Sequence, residues 1–333
     1  MIFLDTLRPP SPFDLSASGY KDWLHLNVLD HSTGTIGIIN VSLHGAPGDP
    51  RSRAIGTGLA HVPGSGWLGN VEVRGQGQAA IGTSSIGLER VALAVLPAEG
   101  TVLASVNDPE NGLAARLTAR PSVSPVVVAE EIPLGPGWIS WYAVSRLALS
   151  GHWTLGSQVQ DLSQATAYHD HNWGRWHWGE DLGWEWGCFV TPAPGPALVM
   201  SLTTDRAHRR RGEPCLAVHA AGKRRTFTGA AIEIEYRGRL ETVLRRLPGA
   251  MAALHADWIH PQLPQKLLLR ASDGIDRVTM EFTGRAAAQL IAADSSRRGY
   301  GFIHEIVGEF SCSGELGKTP IGGTGLGVLE HVD

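Results

Sequence analysis

The sequence predicts an all-β protein, and three observations lead to that prediction. Short stretches in which apolar and polar residues alternate with period 2 recur along the chain. Glycine and proline are frequent, with 41 and 20 among 333 residues, which suits many strands joined by tight turns. Almost no stretch has the 3.6-residue periodicity of an amphipathic helix. Strands at short spacing with so little helix favour barrels or sandwiches over α/β folds.

The alternation is clearest near the N-terminus, in residues 23–29 and 36–43. In the first stretch, His25 and Asn27 alternate with aliphatic residues, and in the second an asparagine and a serine share one face. This is the pattern of strands with one buried face. Further strands are predicted at residues 71–74, 91–95, 101–106, 197–202, 232–236 and 266–270.

The length predicts two domains, because 333 residues exceed one typical core. Residues 121–137 contain four prolines and little periodicity, as a linker does. We therefore predict an N-terminal β domain at residues 1–130 and a C-terminal β domain at 131–333. Only residues 240–254 look helical, and Pro248-Gly249 interrupts that pattern.

Composition narrows the function classes. The net charge is −4 and the pI about 6.4, without the basic footprint of a nucleic-acid-binding protein. The three cysteines (Cys188, Cys215 and Cys312) are odd in number and form no CxxC pair, so neither a disulfide scaffold nor a zinc site is expected. No signal peptide and no stretch of about 18 apolar residues is visible, so a cytoplasmic location is expected. The motifs of α/β-hydrolases, P-loop proteins and dinucleotide-binding proteins are missing too.

Residues 168–186 form the most informative segment. They place carboxyl groups, a phenol, an amide and three imidazoles among five of the chain's 11 tryptophans, namely Trp173, Trp176, Trp178, Trp184 and Trp186. A buried indole needs a partner for its N–H group, and its ring face attracts cations. Two interpretations follow: a cavity that shelters a carbocation beside a proton donor, or a well-packed aromatic core.

The same segment predicts a β-hairpin, with strands at residues 173–178 and 184–189 around a loop at 179–183 that contains glycine and aspartate. Strand parity then puts two sets of side chains on opposite sides. The first set is Tyr168, Asp170, Asn172, Trp176 and Trp178. The second set is His169, His171, Trp173, Arg175 and His177.

The motif YHDHNWG at residues 168–174, preceded by GHWTL at 151–155, resembles the carotenoid 1,2-hydratase (hydroxyneurosporene synthase) family and its AttH-like relatives. That superfamily also includes Diels–Alderases. Weaker similarity lies at residues 299–305, which contain Tyr300, and at residues 20–23, which end in Trp23. The resemblance implies two tandem lipocalin-like (calycin-type) β-barrel domains.

The resemblance also implies functional roles for Tyr168 and Asp170, with Asp170 as the acid. Hydratases of this family use a His-x-Trp pair upstream of the motif, whereas residues 138–142 read WISWY without such a histidine. This departure argues against carotenoid hydration in particular and leaves the inferred fold unchanged.

Acid chemistry explains why these residue types would occur together. A buried carboxylic acid keeps its proton, can protonate an alkene, and leaves a cation that indole faces stabilise. We expect His171 and Asn172 to orient Asp170, and Glu305 to be a candidate second acid. The alternative for Asp170 is structural: its carboxylate would cap backbone N–H groups or pair with Arg175.

The sequence therefore predicts an enzyme that hydrates or cyclises a C=C bond of a hydrophobic isoprenoid or polyene. Small barrels of this kind can enclose one such apolar ligand. The alternatives are a pericyclase and a non-catalytic lipid or pigment carrier. The predicted catalytic residues are Asp170, Tyr168, His171 and Glu305. The predicted substrate-binding residues are Asn172, Trp173, Trp176, Trp178, Trp184, Trp186, Trp23 and Tyr300. No cofactor, metal, nucleic acid or obligate protein partner is expected, and substrate uptake is compatible with peripheral membrane contact.

Overall fold

The computed structural model describes residues 5–11, 14, 17–242, 244–248, 262–294 and 299–333. The described chain is almost entirely β, as the sequence predicts, and its strands form two curled, lipocalin-like half-barrel sheets. Four single 3-10 turns are also described, at Ala17–Gly19, Gln76–Gln78, Pro109–Asn111 and Gly229–Ala231.

The first sheet contains the strands β1 to β13, which are antiparallel to their neighbours. Their bounds are β1 Tyr20–Asp30, β2 Thr35–His44, β3 Arg53–Val62, β4 Gly66–Gly75, β5 Ala80–Ile81, β6 Ser85–Gly87, β7 Val91–Leu96, β8 Thr101–Asp108, β9 Leu113–Pro121, β10 Val126–Leu134, β11 Gly137–Leu155, β12 Gln158–Asp161 and β13 Thr166–Arg175. The strand order is β4-β3-β2-β1-β13-β11-β9-β8-β7-β6-β5, with β10 and β12 paired to β11.

The second sheet contains the strands β14 to β23. Their bounds are β14 Gly183–Val190, β15 Ala197–Thr204, β16 Cys215–Ala220, β17 Lys223–Thr228, β18 Ile232–Arg239, β19 Arg245–Leu247, β20 Pro264–Ser272, β21 Arg277–Asp294, β22 Gly299–Leu316 and β23 Thr319–Val332. The strand order is β17-β16-β15-β14-β23-β22-β21-β20-β18, with β19 paired in parallel to β21.

Each sheet encloses its own hydrophobic core. In the first, the aliphatic side chains of β1 pack with Ile39 and Val41 of β2 and with Val144 of β11. In the second, Phe189 packs edge-on against Phe282, with ring centroids 5.3 Å apart. The predicted core face of β1 is thus confirmed, but every residue of β1 is buried, including those on its polar face. A strand with one solvent-exposed face would not have this pattern.

The described chain divides by its contacts into compact units after Glu180. The domain boundary predicted at residues 130 and 131, which lie in β10, stays a prediction. Two other expectations differ from the structure. The predicted helix is wrong at Arg245–Leu247, which form a strand, and its residues 249–254 lie outside the described ranges. The predicted hairpin is wrong as well, because β13 and β14 pair in different sheets.

Within the described ranges, no helix has the length and hydropathy needed to cross a lipid bilayer.

Candidate functional site

The motif lies on β13, a central strand of the first sheet. β13 pairs with β1 on one side and with β11 on the other, so its backbone groups are used in two ladders. Across the sheet, Asn172 lies between Trp23 and Trp141, and Asp170 lies beside His25. These neighbours come from chain segments far apart in sequence, and the sheet register brings them together.

One surface of this sheet carries the acid that the sequence predicts. We call it the Asp170 face, and it is formed by Trp23, His25, Asn27, Asn40, Ser42, Trp141, Tyr168, Asp170 and Asn172. Tyr168 is fully buried, and Asp170 and Asn172 are each 2% exposed. A polar sheet face buried to this degree has to satisfy its groups internally or with a ligand.

Hydrogen bonds hold the polar groups of the Asp170 face in defined orientations. The Asn172 Nδ2 amide donates to Asp170 Oδ1 over 2.5 Å. The His25 Nε2 atom lies 2.8 Å from Asn27 Oδ1, and Asn40 Nδ2 donates to His25 Nδ1 over 3.4 Å. Burial lowers the pKa of His25 to about 4, so this ring is neutral at pH 7 and donates only from Nε2.

Indole rings border the same face. Trp23 meets Trp176 edge-on at a centroid distance of 5.4 Å, and Trp176 meets Trp178 edge-on at 6.1 Å. The buried Lys21 amine donates to the Trp176 carbonyl over 2.9 Å and fixes the backbone there. The Trp178 indole N–H lies 3.5 Å from His44 Nδ1. The contact of Trp23 with Trp176 places two predicted substrate-binding indoles next to each other.

The opposite face of β13 carries two buried histidine–aspartate pairs. His169 Nε2 lies 2.8 Å from Asp5 Oδ1, and its Nδ1 lies 2.7 Å from the His25 carbonyl. Because both ring nitrogens face acceptors, His169 carries two protons. Burial alone would lower the pKa of His169, but the attraction and hydrogen bond of Asp5 outweigh burial and raise it. His171 Nε2 lies 2.8 Å from Asp22 Oδ1, and the Tyr20 hydroxyl also donates to Asp22.

This geometry changes two sequence-based expectations. His171 lies on the face opposite Asp170 and contacts Asp22, so it does not orient Asp170 as expected, because neighbouring strand residues point to opposite faces. Trp173 is on that opposite face too, as strand parity predicts, and the Arg8 guanidinium lies 4.4 Å from its ring centroid. Arg175 pairs with Asp14 over 3.1 Å, not with Asp170.

The other predicted site residues lie on strands of the second sheet. Trp184 and Trp186 lie on β14, where Trp184 donates its indole N–H to Glu330 of β23. Glu305 of β22 is buried and directly opposite Glu330, and the two carboxyl groups share a hydrogen bond. Burial raises the pKa of Glu330 to about 7, although the hydrogen bonds from Trp184 and Glu305 act in the other direction. Tyr300, at the start of β22, is 37% exposed.

One group within the described ranges could offer ligands to a metal ion. Glu185, His208 and His331 place one ligand atom each within 4.8 Å of one another. His208 Nδ1 is already 2.9 Å from Glu185 Oε1, and its Nε2 is 2.9 Å from the Val332 carbonyl. The His208 and His331 rings are stacked at 3.7 Å and nearly parallel. The lone pair of a ring nitrogen lies in the plane of its ring, so the lone pairs of two stacked rings do not converge on one point. One ion could therefore be coordinated by both histidines only if one ring turned.

Sequence reasoning missed most of the polar groups around Asp170. His25, Asn27, Asn40 and Ser42 were recognised as the polar faces of two strands, which normally contact solvent. The available signal was that both strands carry amides and imidazoles there, whereas charged side chains are usual on a solvent face. No pattern in the sequence pointed to Asp5, since this residue precedes the first strand.

The arrangement can position and protonate an apolar molecule. It combines one buried carboxyl group, a hydrogen-bonded amide beside it, neutral polar groups of fixed orientation, and indole faces at the border. Such a mixture of apolar walls with a few placed polar groups is typical of small-molecule sites.

Comparison with solved structures identifies the same fold in three proteins. An AttH-like protein from Nitrosomonas europaea has a TM-score of 0.67 and 16% identity, over 98% of this chain and 99% of that chain. Kievitone hydratase from Nectria haematococca has a TM-score of 0.60 and 12% identity, over 97% and 93% of the two chains. CghA with Sch210972 has a TM-score of 0.63 and 13% identity, over 98% and 94%. Searches with family models and among curated proteins return no match.

Proposed function

We propose that the Asp170 face binds a hydrophobic, unsaturated molecule and that Asp170 protonates a C=C bond in it, which starts hydration or cyclisation. One observation carries this proposal: a carboxyl group 2% exposed lies on a buried sheet face, hydrogen-bonded to Asn172 and two residues along β13 from the row that contains Trp23 and Trp141. The shared fold of a protein named as a hydratase supports it. We further propose that the substrate is an isoprenoid or polyene.

The proposed reaction balances at Asp170. The carboxylic acid donates its proton to the less substituted alkene carbon, so a C–H bond forms and the π electrons leave a tertiary cation on the neighbouring carbon. A water oxygen then forms a C–O bond with the cation, and the resulting oxonium returns one proton to the Asp170 carboxylate. If an internal alkene attacks instead, a ring forms, and loss of a proton from carbon to Asp170 completes an isomerisation.

The surroundings have distinct parts in this scheme. We propose that Trp23 and Trp176, which are in contact, stabilise the cation through their ring faces, each by about 1–2 kcal/mol where water is excluded. We propose that Asn172 positions the Asp170 carboxyl and that Tyr168, next to it on the same face, contacts the substrate. For the second sheet we propose that Glu305 is a further proton donor, together with Glu330.

Mass spectrometry of products formed in isotopically labelled water tests the proposal. Purified protein is incubated with linear polyprenyl and polyene substrates in heavy-oxygen water and, separately, in deuterium oxide. Hydration adds the mass of one labelled water molecule. Acid-initiated cyclisation gives an isomer that carries one deuterium from solvent, because the donated proton comes from an exchangeable carboxyl group.

Variants make the test specific for Asp170. Asp170→Asn should abolish the labelled product, because an amide has no acidic proton to donate. Asp161→Asn, which changes an exposed aspartate on β12, is the matched control and should retain it. An unlabelled isomer that persists in Asp170→Asn would contradict acid chemistry and indicate a pericyclase. Retention of unchanged ligand by all three proteins would indicate a carrier.

A further inference from the structure

The carbonyl oxygen of the Asn172 side chain has no part in the proposed acid chemistry. The Nδ2 atom of the same amide donates to Asp170 Oδ1, which fixes the amide so that its carbonyl oxygen Oδ1 points elsewhere. Among the described residues, no hydrogen-bond donor reaches this Oδ1, although the atom is buried and the residue is only 2% exposed.

A buried acceptor of this kind has a free-energy cost. Removing a carbonyl oxygen from water without a new partner costs about 1–3 kcal/mol, and folded proteins contain few such groups. A group of this kind in a candidate site therefore indicates a partner supplied by the ligand. The partner must be a hydrogen-bond donor, because an amide oxygen only accepts.

The neighbours of Asn172 restrict the chemistry of that donor. In its row of the sheet, Asn172 lies between Trp23 and Trp141, so a molecule that reaches Oδ1 lies against indole rings. Placing an ammonium group there would require removing a full charge from water, which costs far more than burying a neutral hydroxyl group. In the next row the His25 ring is already engaged, at Nε2 by Asn27 and at Nδ1 by Asn40. The amide oxygen of Asn172 is therefore the acceptor on this face that a ligand hydroxyl fits.

We propose that Asn172 determines specificity by accepting a hydrogen bond from a hydroxyl group of the substrate, so that the substrate is an unsaturated alcohol or phenol and not a pure hydrocarbon. The inference rests on the proposed function, since it takes the Asp170 face as the substrate site. One amide then holds both reacting partners: its N–H group holds the acid, and its oxygen holds the substrate beside that acid.

Matched ligands that differ only in the donor test this inference. Quenching of tryptophan fluorescence measures the binding of geranylgeraniol and of its methyl ether, which keeps the chain and the oxygen but has no O–H group. A prenylated phenol and its methyl ether form a second pair. In the unaltered protein the hydroxyl compound of at least one pair should bind about tenfold more tightly, a factor that corresponds to about 1.4 kcal/mol.

Substitutions assign the preference to one atom. Asn172→Leu keeps the size of the side chain without an acceptor and should reduce the ratio of affinities to about one. Asn107→Leu makes the same change at an exposed amide of β8 and should leave the ratio unchanged. If circular dichroism shows that Asn172→Leu does not fold, the ratio in the unaltered protein decides alone. Equal affinities in the unaltered protein, or loss of the preference in Asn107→Leu as well, would overturn the inference.

The same assay separates this inference from the proposed function. Asp170→Asn should keep the preference for the hydroxyl compound and lose turnover, because it removes the acid and retains Asn172. Preference without turnover in the unaltered protein would support the inference and contradict the acid chemistry. Turnover without preference would do the reverse. Absence of binding for both pairs would overturn both proposals.

Discussion

The ion pair of Asp5 and His169 should stabilise the face of β13 opposite Asp170, and this expectation can be tested directly. Their side chains are 7% and 1% exposed, and the two charged atoms are 2.8 Å apart. With an effective dielectric constant of about 20, unit charges at this distance attract each other by about 6 kcal/mol. Desolvation of the two groups offsets part of this attraction. We therefore expect Asp5→Asn to lower the free energy of unfolding by about 3 kcal/mol near pH 5.

The pH dependence of this loss has a defined direction. Burial opposes ionisation of Asp5, but the charge and hydrogen bond of His169 outweigh burial and lower the pKa of Asp5 below 3.8. The pKa of His169 is raised above 6.5. The Asp5 contribution is present above about pH 3.8 and is lost as pH falls through the lowered pKa. The His169 contribution is present below about pH 6.5 and is lost as pH rises through the raised pKa.

Urea unfolding followed by near-ultraviolet circular dichroism measures the effect. The difference between the unaltered protein and Asp5→Asn should be largest between about pH 4 and 6.5 and should shrink in more alkaline buffer. Glu130→Gln, at an exposed carboxyl group of β10, serves as the control and should change stability by less than about 0.5 kcal/mol at each pH. A loss of equal size at pH 5 and pH 9 would refute an electrostatic origin, and no loss at pH 5 would refute the pair itself.

Three further expectations concern other parts of the chain. Gly174→Ala should lower stability by at least about 2 kcal/mol in thermal unfolding, because its Cβ would lie 2.3 Å from the Trp138 carbonyl oxygen, and an unchanged melting temperature would contradict this geometry. The raised pKa of Glu330 makes its ionisation costly, so the unaltered protein should lose up to about 3 kcal/mol of stability as pH rises from about 4.5 to 7. Glu330→Gln should not show this loss, and parallel pH profiles of stability for the two proteins would refute this expectation. Phe189→Ala should destabilise the second unit by about 3–5 kcal/mol in urea, because the ring packs 5.3 Å from Phe282, and a loss below about 1 kcal/mol would be incompatible with that core.

The strands were predictable because their pattern is local. Alternation in residues 23–29 predicts β1 and assigns its aliphatic residues to the core, and the structure confirms both. The burial of the other face was not predictable, since polar residues at alternate positions also describe a face in water. Whether His25 and Asn27 contact solvent or a buried site depends on tertiary packing, which alternation does not encode.

The main error of the sequence analysis concerns which strands pair with the motif. Two aromatic stretches around a loop with glycine predict a hairpin, but turn residues report only that the chain reverses or bends. They do not report which sheet each stretch joins. β13 instead pairs with β1, where Tyr20 lies opposite Arg175, and with β11. Parity along the motif survived this error, because Tyr168, Asp170 and Asn172 do share a face.

The proposal that Asp170 is the acid came from the resemblance of the motif, and the structure adds what surrounds this residue. The expected partner Asn172 is two residues away and on the same face, as period 2 requires. The expected partner His171 is one residue away, so the same period excludes it. Knowledge of the strand was therefore enough to separate these two candidates.

The position of β13 between β1 and β11 has a consequence for how activity arises during folding. The contact of Tyr20 with Arg175 closes a long loop of chain, and such closure is slow because its entropy is lost before the contacts form. The strand that carries Asp170, the proposed acid, thus acquires both of its neighbours only when it pairs with the first strand of the sheet. Enzymatic activity should appear in a refolding experiment with the slow closure of the first sheet, after most local hairpins have formed.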